Sequence, residues 1–391
     1  MKLLVIGFGQ CGGRIADEFA RLNGRARSYR RIEIITGAFA VNTDAADLSG
    51  LSTIRSDYKH RILIGGRKTG GHGVGKINEL GAEIAKEDSD KVIDAIRTSR
   101  HFAESDAFLL VAGAAGGTGS GSIPIITQLI KERHADKPVY NLIVLPFEHE
   151  EQTEERTIYN SATCLKSASQ VADAVIVIDN QRYIKKDASL RNNMSKINAL
   201  IAAPFYNLLC AGEEKKRKHI GARTLDAGDI MQTLVGWTVI GYGKTPLPLI
   251  RLPFEQKRDF RKKSTETSQG IQAMDEAMSE LSLTCNPRDA NRALYLLAAP
   301  ASEMNMELVK ELGDYLRDIA PKAIIRNGDY PREKGVIDVT VMLSELDTVN
   351  KITNLYGEST TVIGDIQKKQ EELACKLKDI EEAAKDIPSL L

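Results

Sequence analysis

Short apolar runs alternate with amphipathic stretches through the first half of the chain. Residues 3–6 (Leu-Leu-Val-Ile) form an apolar run of the buried-strand type. A glycine turn follows, and then a helical spacing through Ile15, Phe19 and Leu22. Residues 32–41 and 61–64 predict two more strands. Residues 77–98 predict one helix, with apolar positions at Leu80, Ile84, Val92 and Ile96. Residues 107–112 predict a strongly buried strand. Residues 123–132 predict a helix with Pro124 in its first turn, where a missing N–H costs least. Two further Val- and Ile-rich runs, 139–145 and 174–178, complete the set. Strands that are apolar on both faces and alternate with helices predict a parallel sheet covered by helices.

The pattern changes after residue 191. Residues 192–211 predict a long helix carrying Met194, Ile197, Leu200, Ile201, Phe205, Leu208 and Leu209, too apolar for one stripe. Such a helix is buried and joins two domains. A charge run at 213–219 predicts a solvated loop, and the prolines and basic residues of 246–263 a connector. Strands at 294–298, 323–326 and 336–343 around a helix at 307–319 predict a smaller α/β domain. At the end of the chain Leu373, Leu377, Ile380, Ala384 and Ile387 are spaced for one more helix, docked on the protein's own surface or offered to a partner.

Charge narrows the function. The 391 residues carry 53 Lys+Arg and 53 Asp+Glu, so the formal net charge is zero. That balance argues against a nucleic-acid polymer as partner, because such proteins show a basic excess. A content of 42% hydrophobic residues excludes a charge-rich disordered chain. Neutrality also removes the long-range repulsion that keeps copies of a chain apart, so self-association is permitted. Five scattered cysteines (Cys11, Cys164, Cys210, Cys285, Cys375) form no CxxC pair and suggest reduced thiols. No apolar run approaches the ~18 residues of a membrane span, and the N-terminal segment lacks the features of a signal peptide. A cytoplasmic location is the expectation.

Two glycine turns carry the chemistry. Residues 7–13 read GFGQCGG between a strand and a helix and satisfy GxGxxG. Glycines let the backbone approach a phosphate, and the helix N-terminus supplies N–H groups. Alone, this turn fits a dinucleotide-binding unit equally well, or a purely structural bend. Residues 113–121, GAAGGTGSG, repeat the strand, glycine loop, helix arrangement. A nicotinamide domain has no use for this second loop, whereas a di- or triphosphate between two helix N-termini does. No GKS or GKT follows, so it is not a Walker loop.

GGTGSG at 116–121 marks the tubulin/FtsZ superfamily, and from here the chain resembles that family over nearly its whole length. Gly9, Gln10, Cys11, Gly12, Gly13 and Arg14 resemble the first phosphate loop of tubulin. Asn42 and Asp44, in an NTDA segment, resemble the second loop of FtsZ. Gly71 sits in a glycine-rich stretch where the family senses the γ-phosphate. Gly116, Gly117, Thr118, Gly119 and Ser120 form the signature loop. Glu150 and Arg156 are similar to the ribose-contacting pair of FtsZ, at a longer spacing. Asn180 and Asn198 stand where the family reads guanine. Asp226 and Asp229, in TLDAGD, resemble the NxDFxD loop that reaches the nucleotide of the next subunit, with Thr224 and Ala227 departing from the pattern. Asp226 also reads as a helix N-cap.

The combination looks most like CetZ, the tubulin-like family of archaea. The resemblance implies an α/β, tubulin/FtsZ-like fold laid out as a parallel-sheet GTP-binding domain (1–191), a long central helix (192–212), an acid-loop region (213–245), a second, smaller α/β domain (246–364) and a C-terminal helix and tail (365–391). It implies GTP/GDP and Mg²⁺ as ligands, with no protein group named as a metal ligand. It implies a head-to-tail homopolymer whose GTP is hydrolysed at the subunit interface, adaptor proteins of the cell envelope as further partners, and a role in cell shape. The alternatives are a NAD-dependent oxidoreductase with Glu33 or Asp44 as its ribose acid, an FtsZ-like division protein, and a nucleotide-dependent scaffold with negligible turnover.

Overall fold

Leu4, Ile6 and Phe8 point into one core, while Leu3 and Val5 point into another. Successive strand residues face opposite sides of a sheet, so a strand apolar at every position needs cover on both faces. Helices supply that cover. The computed structural model describes residues 1–186, 190–247, 260–333 and 335–364.

The chain opens with β1 (Leu3–Phe8), α1 (Gly9–Arg30), β2 (Ile35–Asn42), α2 (Ala45–Ser49), β3 (Arg61–Leu63) and the short α3 (Gly66–Thr69). It continues through α4 (Asn78–Glu87), α5 (Ser89–Arg97), β4 (Ala107–Gly113), α6 (Thr118–Arg133), β5 (Val139–Leu145), α7 (Glu148–Thr153), α8 (Glu155–Val171) and β6 (Ala174–Asp179). Then come α9 (Leu190–Ala211), α10 (Ala227–Thr233), β7 (Gly236–Pro246), α11 (Phe260–Ser279), β8 (Ala290–Ala299), α12 (Met306–Ile319), β9 (Ile324–Pro331) and β10 (Val336–Leu346). A further helix, α13, covers 350–364. The strands form one sheet in the order β3-β2-β1-β4-β5-β6-β7-β10-β8-β9. β1 to β6 are parallel throughout, with the central crossover of a doubly wound sheet.

β7 joins the two halves. Its first residues pair parallel with β6 (Gly236 with Ala174), and the rest pair antiparallel with β10 (Pro246 with Val336). The long helix α9 packs beside α1 on one face, with Phe205 edge-on to Phe19 at a centroid distance of 5.3 Å. α4, α5, α6, α8, α11 and α12 bury their apolar residues in the core of the opposite face.

The strands expected in the first half all form, and several helices differ from expectation. The helix expected over 77–98 is two, α4 and α5, divided at Asp88, whose carboxylate accepts the Gly65 N–H at 2.7 Å. α6 begins at Thr118, so Pro124 lies in the second turn rather than the first, and Gly119 and Gly121 are helical. The connector expected over 246–263 contains the start of α11, while 248–259 lies outside the described residues, as does the terminal helix expected around Leu373 to Ile387. α8, β7 and α11 carried no signal that the hydrophobic pattern singled out.

α4 and α6 pack with backbones in contact. A Cβ added to Gly121 would lie 2.1 Å from the Asn78 carbonyl oxygen, and one on Gly81 would lie 2.3 Å from that of Gly117. Gly121 in the signature loop therefore serves helix packing. Gly121→Ala is expected to destabilise the protein by about 1–3 kcal/mol through overpacking, read as a lower urea midpoint. Gly116→Ala, whose added methyl meets nothing within 4 Å, is expected to stay within ~0.5 kcal/mol of the parent. Equal midpoints for both variants would refute the close approach.

Candidate functional site

The two glycine turns meet. β1 ends at Phe8, and α1 starts at Gly9 with φ +67°, a left-handed geometry that glycine adopts without a Cβ penalty. A Cβ on Gly9 would stand 3.1 Å from the Gly119 amide nitrogen, and one on Gly119 would stand 2.9 Å from the Phe8 carbonyl oxygen. Gly12 packs helix α1 onto β4, since its Cβ would fall 2.1 Å from the Val111 carbonyl oxygen, and Gly13 sits over Ala40 and Leu51. Neither α1 nor α6 has a side-chain cap, and neither has an acid in its first turn. The first N–H groups and the positive ends of both helix dipoles are thus directed at one cavity, suited to an anion.

That cavity, about 340 Å³, lies at the carboxyl ends of the parallel strands, where open α/β sheets bind ligands. Residues from the β2–α2 turn close one side. Asp44 caps α2 through the Ala46 and Asp47 amides (2.8 and 3.1 Å), and Asp47 in turn accepts from Gln10 Nε2 at 2.6 Å and Asn42 Nδ2 at 3.1 Å. The Thr43 and Thr118 hydroxyls, 2.6 Å apart and buried, tie this turn to α6. The stretch 70–76 wraps over them. Gly70, Gly71, Gly73, Gly75 and Lys76 all have positive φ, which accounts for the glycine run in physical terms. The Gly71 carbonyl accepts from Ala45 N at 3.0 Å, and the Gly73 N–H donates to the Thr43 carbonyl at 3.1 Å.

Lys76 is the strained member, since a lysine at φ 61° carries a cost that the surroundings must hold in place. Its carbonyl accepts from Arg156 Nε at 3.1 Å and Asn160 Nδ2 at 2.9 Å, and its ammonium pairs with Glu154 at 2.6 Å. The far wall holds Pro146, Phe147, Glu150, Asn180 and Met194. Glu150 accepts the Phe147 N–H at 2.9 Å, which fixes its carboxylate at the start of α7. Cys11 also lines the cavity. Burial pushes its thiol up to about 12, with Glu150 adding to the effect and Arg14 opposing it. The thiol therefore stays protonated at neutral pH and is no nucleophile.

The cavity brings together Gly9, Gln10, Cys11, Asn42, Asp44, Gly116, Gly117, Thr118, Gly119, Glu150 and Asn180 of the residues expected from sequence. Seven others do not line it. Gly12 and Gly13 are buried in α1, Arg14 is exposed, and Gly71 supports the wall through its backbone. The Ser120 hydroxyl closes the loop onto the Gly116 carbonyl. Arg156, on helix α8, is turned onto the Lys76 carbonyl and Glu79 rather than into the cavity. Asn198 is buried one turn of α9 beyond Met194. Asp47 and Lys76 line the cavity and were not read from sequence. An acid three residues after the Asp44 cap, and a cation ending a glycine run, were the available signals.

Asp226 and Asp229 are elsewhere. Asp226 is exposed and caps α10, its Oδ1 accepting the Asp229 N–H at 2.8 Å, as the N-cap reading anticipated. Asp229 accepts from Arg326 Nε at 3.2 Å. Their loop lies at the amino ends of the strands, where Leu225 and Asp226 run beside Gly212 near the Met1 amine. Met194 touches the cavity while Ala211 ends the same helix beside the acids, so about 25 Å of α9 separates the two places.

Residues 2–186 match the model of the Tubulin/FtsZ family, GTPase domain, and residues 187–360 match the Tubulin-like CetZ, C-terminal domain. The Tubulin-like protein CetZ1 of Haloferax volcanii is 34% identical over 373 residues, covering 91% of each chain. A solved structure of CetZ1 from Haloferax volcanii, described as a GDP bound monomer, superposes with a TM-score of 0.77 at 31% identity, covering 92% of this chain and 99% of that one. CetZ2 from the same organism, described as a GTPgS bound protofilament, gives a TM-score of 0.79 at 27% identity over 94% of this chain and 100% of that one. No helix among the described residues is long and apolar enough to cross a membrane.

The protonated state of Cys11 is testable. Alkylation at pH 8, followed by peptide mass spectrometry, is expected to proceed at Cys11 roughly tenfold or more slowly than at a free model thiol. A matching rate would show that the thiol is not held in its neutral form.

Proposed function

This chain belongs to the CetZ family of tubulin-like proteins, and we propose that it binds GTP and GDP in the cavity between α1 and α6, assembles head to tail, and hydrolyses GTP where one subunit meets the next. The observation that carries the reading is the separation just described. The cavity and the acids that resemble the family's catalytic loop stand at opposite ends of the same sheet, so on this reading one subunit holds half of a site at each end. Stacking copies in one direction completes a site at every junction, and such a heterologous contact propagates rather than closes.

Each residue then has a task. The amides at Gln10 to Arg14 and Gly116 to Ser120 take the phosphates, supported by the α1 and α6 dipoles. Lys76 and the 70–76 stretch with Gly71 meet the γ-phosphate side, and Arg156 acts on that side by holding the Lys76 carbonyl. Glu150 serves the ribose. Asn180 reads the base from the cavity wall, for which a side-chain amide offers donor and acceptor together. Asn198, which stands behind that wall one turn of α9 beyond Met194, is assigned to the same base by its place in the family pattern. Asp226 and Asp229 enter from the neighbour and orient and polarise the attacking water. Mg²⁺ bound with the triphosphate supplies charge neutralisation, and the Asp44 and Asp47 carboxylates are the cavity acids suited to its water shell. Loss of the γ-phosphate removes the contacts of the 70–76 stretch and weakens the junction. In this reading the filaments serve cell shape and meet the envelope through adaptor proteins. Family membership replaces the nicotinamide reading, under which the second glycine turn had no task.

Phosphate release per subunit is expected to rise with protein concentration and then level off. Asp229→Asn is expected to keep GTP binding and assembly while losing most turnover, giving longer-lived filaments by light scattering and electron microscopy. A per-subunit rate that stays flat from dilute to concentrated protein would sink catalysis between subunits. Asn198→Ala is expected to relax the preference for GTP over ATP by about 1–3 kcal/mol, measured by competition binding. Unchanged discrimination would remove Asn198 from the base site.

A further inference from the structure

The acid loop is built on an edge strand of the other half of the sheet. Asp329 of β9 accepts the amides of Ala222 and Arg223 at 2.9 and 2.6 Å, and its own N–H donates to the Arg223 carbonyl at 3.0 Å. A Cβ on Gly328 would lie 2.8 Å from the Leu225 side chain. Two residues earlier on the same face of the strand, Arg326 donates through Nε to Asp229 Oδ1 at 3.2 Å and through its guanidinium to the Gln232 side chain. Arg292 of β8 holds the Gln232 carbonyl and pairs with Glu345 at 2.7 Å. β9 thus secures the loop at both ends, and the second hold falls on the carboxylate itself.

The two acids differ in how they are held. Asp226 Oδ1 is engaged by its own helix, and its direction follows from the N-cap. Asp229 is in the first turn of α10, and Arg326 of β9 donates to one of its carboxylate oxygens. Both partners are partly exposed, with side chains 24% and 39% accessible, so the pair adds little to stability. Orientation is the larger effect, because a displacement of about 1 Å in a reacting group can cost roughly a hundredfold in rate.

We propose that Arg326 is the positioning residue for Asp229, setting the carboxylate angle that the next subunit's nucleotide meets. The inference rests on the catalytic reading of Asp229. Arg326→Gln is expected to lower kcat at saturating GTP and protein by roughly ten- to a hundredfold, with KM for GTP, GTP binding and the thermal midpoint unchanged. Assembled mass with a non-hydrolysable GTP analogue is expected to match the parent. Arg326→Lys is expected to recover part of the loss. In an Asp229→Asn background, Arg326→Gln is expected to cost nothing further, since the two act as a unit. Full turnover in Arg326→Gln beside a dead Asp229→Asn overturns the inference and leaves the catalytic reading standing. Full turnover in Asp229→Asn overturns both. A loss in Arg326→Gln that follows a fall in thermal midpoint or assembled mass, or that adds to that of Asp229→Asn, overturns positioning in favour of a structural role.

Discussion

A parallel sheet gathers the carboxyl ends of its strands, and the N-termini of the helices that follow them, along one edge. Here that arrangement places the α1 and α6 N-termini around a single cavity, while α9 spans the sheet and delivers the Asp226–Asp229 loop to the opposite edge. A packed helix can neither fold back nor shorten, so the acids have no route to their own cavity. Under the catalytic role proposed for these acids, assembly resolves that constraint. The zero net charge of the chain belongs to the same picture, because nothing long-range opposes the approach of one copy to the next.

The rest of the structure serves to hold the two ends rigid. Backbone contact between α4 and α6 at Gly81, Gly117 and Gly121 leaves the signature loop no room to shift. Lys76, in a left-handed conformation, is kept there by Arg156 and Asn160 on its carbonyl. At the other end β9 holds the acid loop by Asp329 and Arg326. On the proposed reading the second half of the sheet therefore contributes to the chemistry. β7 continues the first half's parallel pairing into the antiparallel pairing of β10, so a movement of one half relative to the other would displace the acids.

How far the chain could be read depended on what each residue signals alone. Strands buried on both faces announced themselves as Val- and Ile-rich runs, and the glycine loops by spacing. β7 and α11 escaped because their contact looks like a turn in sequence. Gly241 and Gly243 interrupt the strand, yet a Cβ at either would lie within about 2 Å of an α11 carbonyl, at Ala277 and Ala273. The place of Arg156 was hidden for a related reason: its charge suited a ribose contact, while the helix that carries it turns that charge onto Lys76 and Glu79. Asp47, Lys76 and Arg326 acquire their tasks from partners 37, 78 and 97 positions away, which no local pattern displays.

By itself the sequence determined the doubly wound sheet, the two glycine turns between strand and helix, and the long central helix, since these follow from local periodicity, from glycine's freedom and from short motifs, and it singled out the two acids for the proposed catalytic loop. Only the tertiary structure decided which glycines line the cavity and which admit a neighbouring helix, where Arg156 and Asn198 lie, and which group pairs with Asp229. Those are questions of close approach and of direction, and both are set by elements far apart in the chain.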